Sequence, residues 1–428
     1  MKLETLYSYF LKSSGICTDT RKIKKNCLFI ALKGDTFNGN EFAQEALNQG
    51  AFKVLIDDIS HHKNTGETIL CQNSLAMMQK LATHHRQQLN IPIIALTGSN
   101  GKTTTKEIIY SVLSKKFKTT ATLGNLNNHI GVPLTLLSMT QDTQMGIIEM
   151  GANHKKEIEG LCQIAEPNYG YITNFGKAHL EGFGSIEGVI EGKSELYTYL
   201  TNQKGSLFYN ADDPIQKRLV ANYTSTIGFS QTDPAVYKIH QLSADPYVEL
   251  KVEETIITSH LIGAYNFTNI CAATLMGVHF DIPLEEIKKA VEAYIPTNNR
   301  SQLINKGSNH IILDAYNANP TSMMAALQHF NTTEGALKIV ILGDMLELGE
   351  TTREEHQYIV DYLSSTDINQ VHLIGGHFSN TILKTKNSYQ HKTFEAFKEA
   401  FIANTPKHTS ILIKASRGMA LERILTLL

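Results

Sequence analysis

Residues 91–107 read IPIIALTGSNGKTTTKE. An apolar run of Ile93, Ile94, Ala95 and Leu96 ends at Gly98 and Gly101, and Lys102 and Thr103 follow at once with residues able to start a helix. That is the layout of a strand, a phosphate-cradling turn and a helix N-terminus. Glycines let backbone N–H groups turn toward an anion, and the helix dipole adds partial positive charge. In such a turn a lysine at position 102 reaches the outer phosphates, and a hydroxyl at 103 suits Mg²⁺. The common G-x-x-x-x-G-K-[ST] spacing would need glycine at 96, where this chain has Leu96. The turn here is the shorter G-x-x-G-K-T. Gly98, Ser99, Asn100, Gly101, Lys102, Thr103 and Thr104 are therefore candidate nucleotide contacts.

Working outward, apolar runs alternate with helical patterns, which predicts a largely parallel sheet wrapped by helices. Strands are expected at Ile93–Thr97, 145–150, 169–174, Ser206–Asn210 and 226–229, with helices at 102–116 and 192–200. Alternating stretches at 237–242, 247–252 and 255–262 add an antiparallel patch. Helical stretches at Phe267–His279 and 283–294 follow. Upstream, strands at 27–32 and Lys53–Ile56 and a helix at 75–88 describe a small α/β unit. Downstream of a linker, Ile295-Pro296-Thr297-Asn298-Asn299, buried strands are expected at 310–315, 337–342, 371–374 and 411–414. Helices at 322–330, 353–363, Phe394–Ile402 and 420–427 make this a doubly wound, Rossmann-like unit. The expected fold class is α/β with three domains, 1–90, 91–297 and 298–428.

Composition narrows the function classes. A chain of 428 residues is too long for one ordinary core. A net charge of −2 without a long basic run disfavours nucleic acid or an anionic membrane as partner. The five cysteines form no C-x-x-C pair, which argues against a disulfide scaffold or structural zinc. The N-terminus, MKLETLYSYF, is amphipathic and lacks a secretion signal's apolar core. No segment approaches the roughly 20 apolar residues that span a bilayer. A soluble protein of a reducing compartment is expected.

Several residues can carry chemistry beside the phosphate turn. Glu149 closes a strand in IIEMGAN, where a carboxylate can bind Mg²⁺. His179, in ITNFGKAHLEGFGS, ends another strand-plus-loop at the same face. Lys193 lies in EGVIEGKSELY near an expected helix start. Asn266 and Asn269, in GAYNFTNICAA, share a helical face. Arg300 sits just past the linker, where closure of two domains would bring it onto a phosphate. Asp314 ends a buried strand in ILDAYNANP, where an acid can bond a ribose hydroxyl. Asn317 and Asn319 read first as turn formers before a proline.

Taken together, TGSNGKTTTKE, GNLNNHIGVPLTLL, IIEMGAN, AHLEGFGS, GKSELY, GAYNFTNICAA, NNRSQ, DAYNANPTS, LGDMLELG and KASRGMALE resemble the Mur ligases, in order, through nearly the whole chain. The last three of these segments, DAYNANP, LGDMLELG and KASRG, are most similar to the D-alanyl-D-alanine-adding branch. The resemblance implies ATP on residues 98–103, with Asn266, Asn269 and Asp314 toward adenine and ribose. It implies a carboxylate activated as an acyl phosphate, with Lys102, Arg300 and two Mg²⁺ ions stabilising developing charge. Thr103, Glu149, His179 and Lys193 match metal positions, and Lys193 matches a lysine that the family carbamylates. A free lysine, with pKa about 10.4, would repel magnesium, whereas a carbamate is an anionic oxygen ligand.

The substrates implied are UDP-N-acetylmuramoyl-tripeptide and D-alanyl-D-alanine, in cytoplasmic peptidoglycan synthesis by a monomer. Thr20 and Arg21 match uridine diphosphate contacts, although Lys25-Asn26 replaces a frequent Pro-Gly and Asn40 stands where histidine is frequent. Asn125, Asn127 and Asn128 would line the path to the muramoyl substrate. Lys414, Ser416 and Arg417 would shape the dipeptide pocket, and Asn317 and Asn319 lie beside it. The alternatives are another amide ligase of the superfamily (third-residue-adding or folylpolyglutamate synthase type) and a regulatory phosphate-loop ATPase.

Overall fold

A computed structural model describes residues 2–63, 65–333, 337–384 and 386–428. Met1 of the amphipathic N-terminus lies outside them, as do Asn64, Thr385 and residues 334–336. The chain builds an α/β fold of three domains, each around its own sheet. The phosphate-turn strand Ile93–Thr97 is buried at every position and lies inside a nine-stranded sheet. Its neighbours Met145–Glu149 and Tyr169–Ile172 run parallel to it. Buried on both faces, such strands read as unbroken apolar runs, which is why they were visible in the sequence. The antiparallel patch is present: Tyr237–Ser243, Glu249–Val252 and Thr255–Thr258 continue the same sheet. The helix after the turn, Lys102–Leu113, buries Ile108, Ile109, Val112 and Leu113 in one cluster with Ile270, Cys271 and Met276 of Phe267–His279. Each such side chain contributes about 1.5–3 kcal/mol on leaving water.

The N-terminal sheet has four parallel strands, Ile16–Cys17, Leu28–Ile30, Lys53–Ile56 and Thr68–Leu70. Asn26, in place of the frequent glycine, holds φ +68°, a left-handed conformation that asparagine tolerates. The C-terminal sheet runs Gln302–Lys306, Asn309–Asp314, Ser410–Lys414, Lys338–Gly343, Gln370–Ile374 and Ser388–His391, parallel except for its first strand. Edge strands escaped the reading: Thr119–Ala121, Gln302–Lys306 and Ser388–His391 are half-solvated and carry no apolar run. Two expectations need correction. The final helix, expected at 420–427, is a 3₁₀ segment, Leu421–Thr426, entered through Ala420 at φ +48°. The helix carrying Lys193 begins earlier, at Ile186, capped by the Ser185 side chain. Gly192, inside that helix, lets it approach the Phe183 ring, where a Cβ would stand 2.5 Å from its Cε1.

The C-terminal core holds a histidine pair. His372 Nδ1 lies 3.0 Å from His391 Nε2, between Tyr389, Phe397 and Phe401. Burial pushes His372 down to about 4, and the neighbouring His391 adds to the shift. Above pH about 6.5 neither folded nor unfolded chain binds this proton. Between there and pH 4 the unfolded chain binds it and the fold does not, so stability falls as pH falls, by about 3 kcal/mol in all. Urea unfolding of the wild type should show stability falling in that range, and His372→Leu should remove this residue's share of the slope, leaving that of the other buried histidines.

Candidate active site

Two glycines make the phosphate turn possible. Gly98 holds φ +139°, and a Cβ there would stand 2.0 Å from Thr173 Oγ1; Gly101 holds φ +79°, with a Cβ 2.5 Å from Asn269 Oδ1. The turn is clamped from the next strand's loop. Asn100 N–H donates to Asn174 Oδ1 (3.0 Å), Thr173 Oγ1 to Asn100 O (2.6 Å) and Ser99 Oγ to Gly176 O (2.8 Å). Lys102 Nζ folds back to Gly98 O (2.7 Å) and Ser99 O (3.2 Å). Loss of water around this ammonium pushes it down to about 8, against the pull of Glu149.

Glu149 is buried at its strand's end. Its Oε1 accepts from Thr103 Oγ1 (3.1 Å) and Asn127 Nδ2 (2.8 Å), while Oε2 has no hydrogen-bond partner and faces Lys106 Nζ at 3.5 Å. An orphaned carboxylate oxygen beside a hydroxyl is a hard-oxygen donor set that fits Mg²⁺. His179, at φ +53°, pairs through Nδ1 with the Glu347 carboxylate of the C-terminal domain. Lys193 is buried, its Nζ donating to Ala152 O (2.9 Å) and lying 4.9 Å from the Phe183 ring centre. Burial first, then Lys102, holds it well below the ordinary lysine value.

Asn266 stands at the N-terminus of the helix carrying Asn269, its Nδ2 donating back to Ile262 O (2.8 Å), and both are buried. Asn269 Nδ2 donates to Asn266 Oδ1 (2.8 Å) and its Oδ1 accepts from Thr105 Oγ1 (3.0 Å), tying that helix to the phosphate-turn helix. The linker is pinned rather than loose: Asn298 Nδ2 donates to Glu107, as does Tyr294 OH. Arg300 follows between two left-handed residues, Asn299 (φ +56°) and Ser301 (φ +49°). Its guanidinium stacks 3.7 Å from the Tyr316 ring centre, and its buried Nε has no partner. Asp314 accepts from Ser301 N–H (3.1 Å) and pairs with buried Lys414.

Asn319 is not a turn former. It caps the helix Pro320–Thr332 in a reciprocal capping box with Ser322, and its Nδ2 donates across the domains to Asn100 Oδ1 (2.8 Å).

One cleft of about 1200 Å³ collects Ser99 through Thr104, Asn125, Asn128, Glu149, His179, Asn266, Asn269, Arg300, Asp314, Asn317 and Asn319. Asn128 Oδ1 also accepts from Ile130 N–H (3.1 Å) and Gly131 N–H (2.9 Å) at the start of the helix Gly131–Leu137. Six expected site residues stand apart from its lining: Gly98, Thr20, Arg21, Lys193, Ser416 and Arg417. Gly98 lies beneath the turn. Arg21 is exposed and paired with Asp19 through two N–H groups, and Arg417 is exposed and paired with Glu422 at 3.0 Å. Lys193 sits behind the wall, on Ala152. Lys106, Tyr316 and Glu347 were not singled out. Lys106 lies four residues past Lys102 in the quoted turn, and Glu347 within LGDMLELG, but only the packed chain supplies their partners.

The strand–turn–helix, faced across the cleft by the C-terminal domain, is a site built for a nucleotide's phosphates. The chain matches the Mur ligase middle domain over residues 96–277 and the Mur ligase, glutamate ligase domain over 299–417. It belongs to the Mur ligase family. A UDP-N-acetylmuramoyl-tripeptide–D-alanyl-D-alanine ligase of Bacillus subtilis is 37% identical over 424 residues, covering 96% of this chain and 92% of that protein. A crystal structure of MurF from Acinetobacter baumannii is 27% identical with TM-score 0.86, covering 99% of this chain and 98% of that one. The MurF ligase of Thermotoga maritima in complex with ADP is 26% identical with TM-score 0.83, covering 98% and 97%.

Proposed function

We propose that this protein joins D-alanyl-D-alanine to UDP-N-acetylmuramoyl-tripeptide at the expense of ATP, supplying a peptidoglycan precursor. The observation that carries this is the single cleft between the phosphate turn and the C-terminal domain's Arg300, Asp314 and Asn319. Backbone N–H groups of residues 98–103 and Lys102 cradle the phosphates. Asn266, Asn269 and Asp314 face adenine and ribose. The tripeptide carboxylate attacks the γ-phosphorus, ADP leaves, and an acyl phosphate forms. The dipeptide amine then attacks the acyl carbon, and the tetrahedral intermediate collapses with loss of phosphate and a proton. Lys102 and Arg300 stabilise the charge that moves onto oxygen. Thr103, Glu149, His179 and, once carbamylated, Lys193 would hold magnesium, which would neutralise phosphate charge.

Lys193 suits carbamylation because its burial favours the neutral amine, the form that adds to CO₂. Lys193→Ala should lose at least about tenfold in rate and recover partly with added acetate or formate; full activity without additive would remove the carbamate from this reading. Asn125, Asn128 and Asn317 would line the peptide path; Arg21 and Arg417 would meet substrate only after Asp19 and Glu422 yield, with Thr20 next to Arg21 in the chain. The domain limits proposed are 1–90, 91–297 and 298–428; the four-, nine- and six-stranded sheets fall one to each stretch, with a two-stranded ribbon in the first. Among the described residues no helix is long and apolar enough to cross a membrane. A monomer in the cytoplasm is the form proposed. The deciding assay is phosphate release with each UDP-muramoyl-peptide precursor, with and without D-alanyl-D-alanine. Release must need both the tripeptide and the dipeptide; release with neither overturns the reading in favour of a plain ATPase.

A further inference from the structure

Three adjacent parallel strands of the C-terminal sheet, Asn309–Asp314, Ser410–Lys414 and Lys338–Gly343, send their carboxyl-end loops toward the central domain. The outer two loops each make a cross-domain contact. Asn319 reaches Asn100 of the phosphate turn, and Glu347 reaches His179, with its carbonyl also accepting from Glu181 N–H at 3.2 Å. Between them, on the loop of the central strand, lies Ser416, 2% exposed. Its Oγ donates to Ala318 O (3.2 Å) and accepts from Leu346 N–H (2.9 Å), and its own N–H donates to Asp344 O (3.3 Å). Ala318 and Leu346 are the residues immediately before Asn319 and Glu347. One hydroxyl thus spans both loops at the point where each leaves for the other domain. Being buried, with donor and acceptor both engaged, it is not free to bind a substrate.

We propose that Ser416 is a positioning residue that locks the Asn319 and Glu347 loops in register, so that the C-terminal domain meets the phosphate turn and the His179 loop as one body. This rests on the ligase reading above. Small displacements of such contacts matter, because a misplacement of about 1 Å can cost about 100-fold in rate.

The test is a mutant box read by phosphate release in the presence of both substrates. In the wild-type background, Asn319→Ala and Glu347→Gln together should cost less than the product of their single effects by about threefold or more, because the loops move together. In Ser416→Ala the two effects should multiply to within about twofold, as independent sites do. Ser416→Thr, which keeps the hydroxyl, should restore the coupling, and Ser416→Cys should fall between. Ser416→Ala should lower kcat at least about tenfold and change each KM less than about threefold. Coupling that persists in Ser416→Ala, or is absent from the wild type, overturns the proposal. If Ser416→Ala does not fold, the Thr and Cys variants decide by the same ratio, and equal coupling in both overturns it. A wild-type protein whose phosphate release needs no substrate would sink the ligase reading instead.

Discussion

Phosphate release by Lys102→Ala should fall about 10²–10³-fold below wild type, the size of effect seen when a preorganised donor at a reacting oxygen is removed. The ammonium rests on Gly98 O and Ser99 O, inside the curve of its own turn. Burial already presses it toward deprotonation, to about 8, so an arriving polyphosphate meets a cation whose hydration is already reduced. The side chain contributes little to the fold, and melting should shift by only a few degrees. Lys102→Arg retains charge but presents a planar fork to a turn shaped for a point donor, and should recover only part of the rate. More than a tenth of wild-type activity in the alanine variant would show that the phosphates lie elsewhere.

Glu149→Ala should fail twice. It removes the orphaned carboxylate oxygen beside Thr103, and rate should drop to background. It also leaves Lys106 buried without its counter-charge and strands Asn127, which should lower stability by about 3–5 kcal/mol. The two losses can be separated. Glu149→Ala combined with Lys106→Met should regain most of the stability in urea unfolding and none of the activity. Recovery of both would mean that Glu149 serves only to neutralise Lys106.

The interior strands of the parallel sheets were legible because burial on both faces forces continuous apolar runs, as in Ile93–Thr97 and Ser410–Lys414. Thr119–Ala121 and Ser388–His391 were not, since an edge strand is half-wet and any residue alternation serves it. The phosphate turn was readable for a related reason: its glycines answer a local demand, positive φ and no Cβ, that no distant residue can meet. Asn319 was misread because Asn-Pro suits a turn and a helix cap equally well, and the helix beyond it decides between them.

What the residues alone settled is therefore the set of local necessities: the turn at Gly98–Gly101, the strand that feeds it, the acid at a strand's carboxyl end, and the order of motifs. Packing alone decided the partnerships across long separations. Lys106 under Glu149, Tyr316 against Arg300, Glu347 on His179 and Asn319 on Asn100 join segments up to 219 residues apart. A hydrogen bond or ion pair falls off within a few ångströms and has no sequence period. Only the folding of three sheets against one another determines which polar groups are brought within that reach.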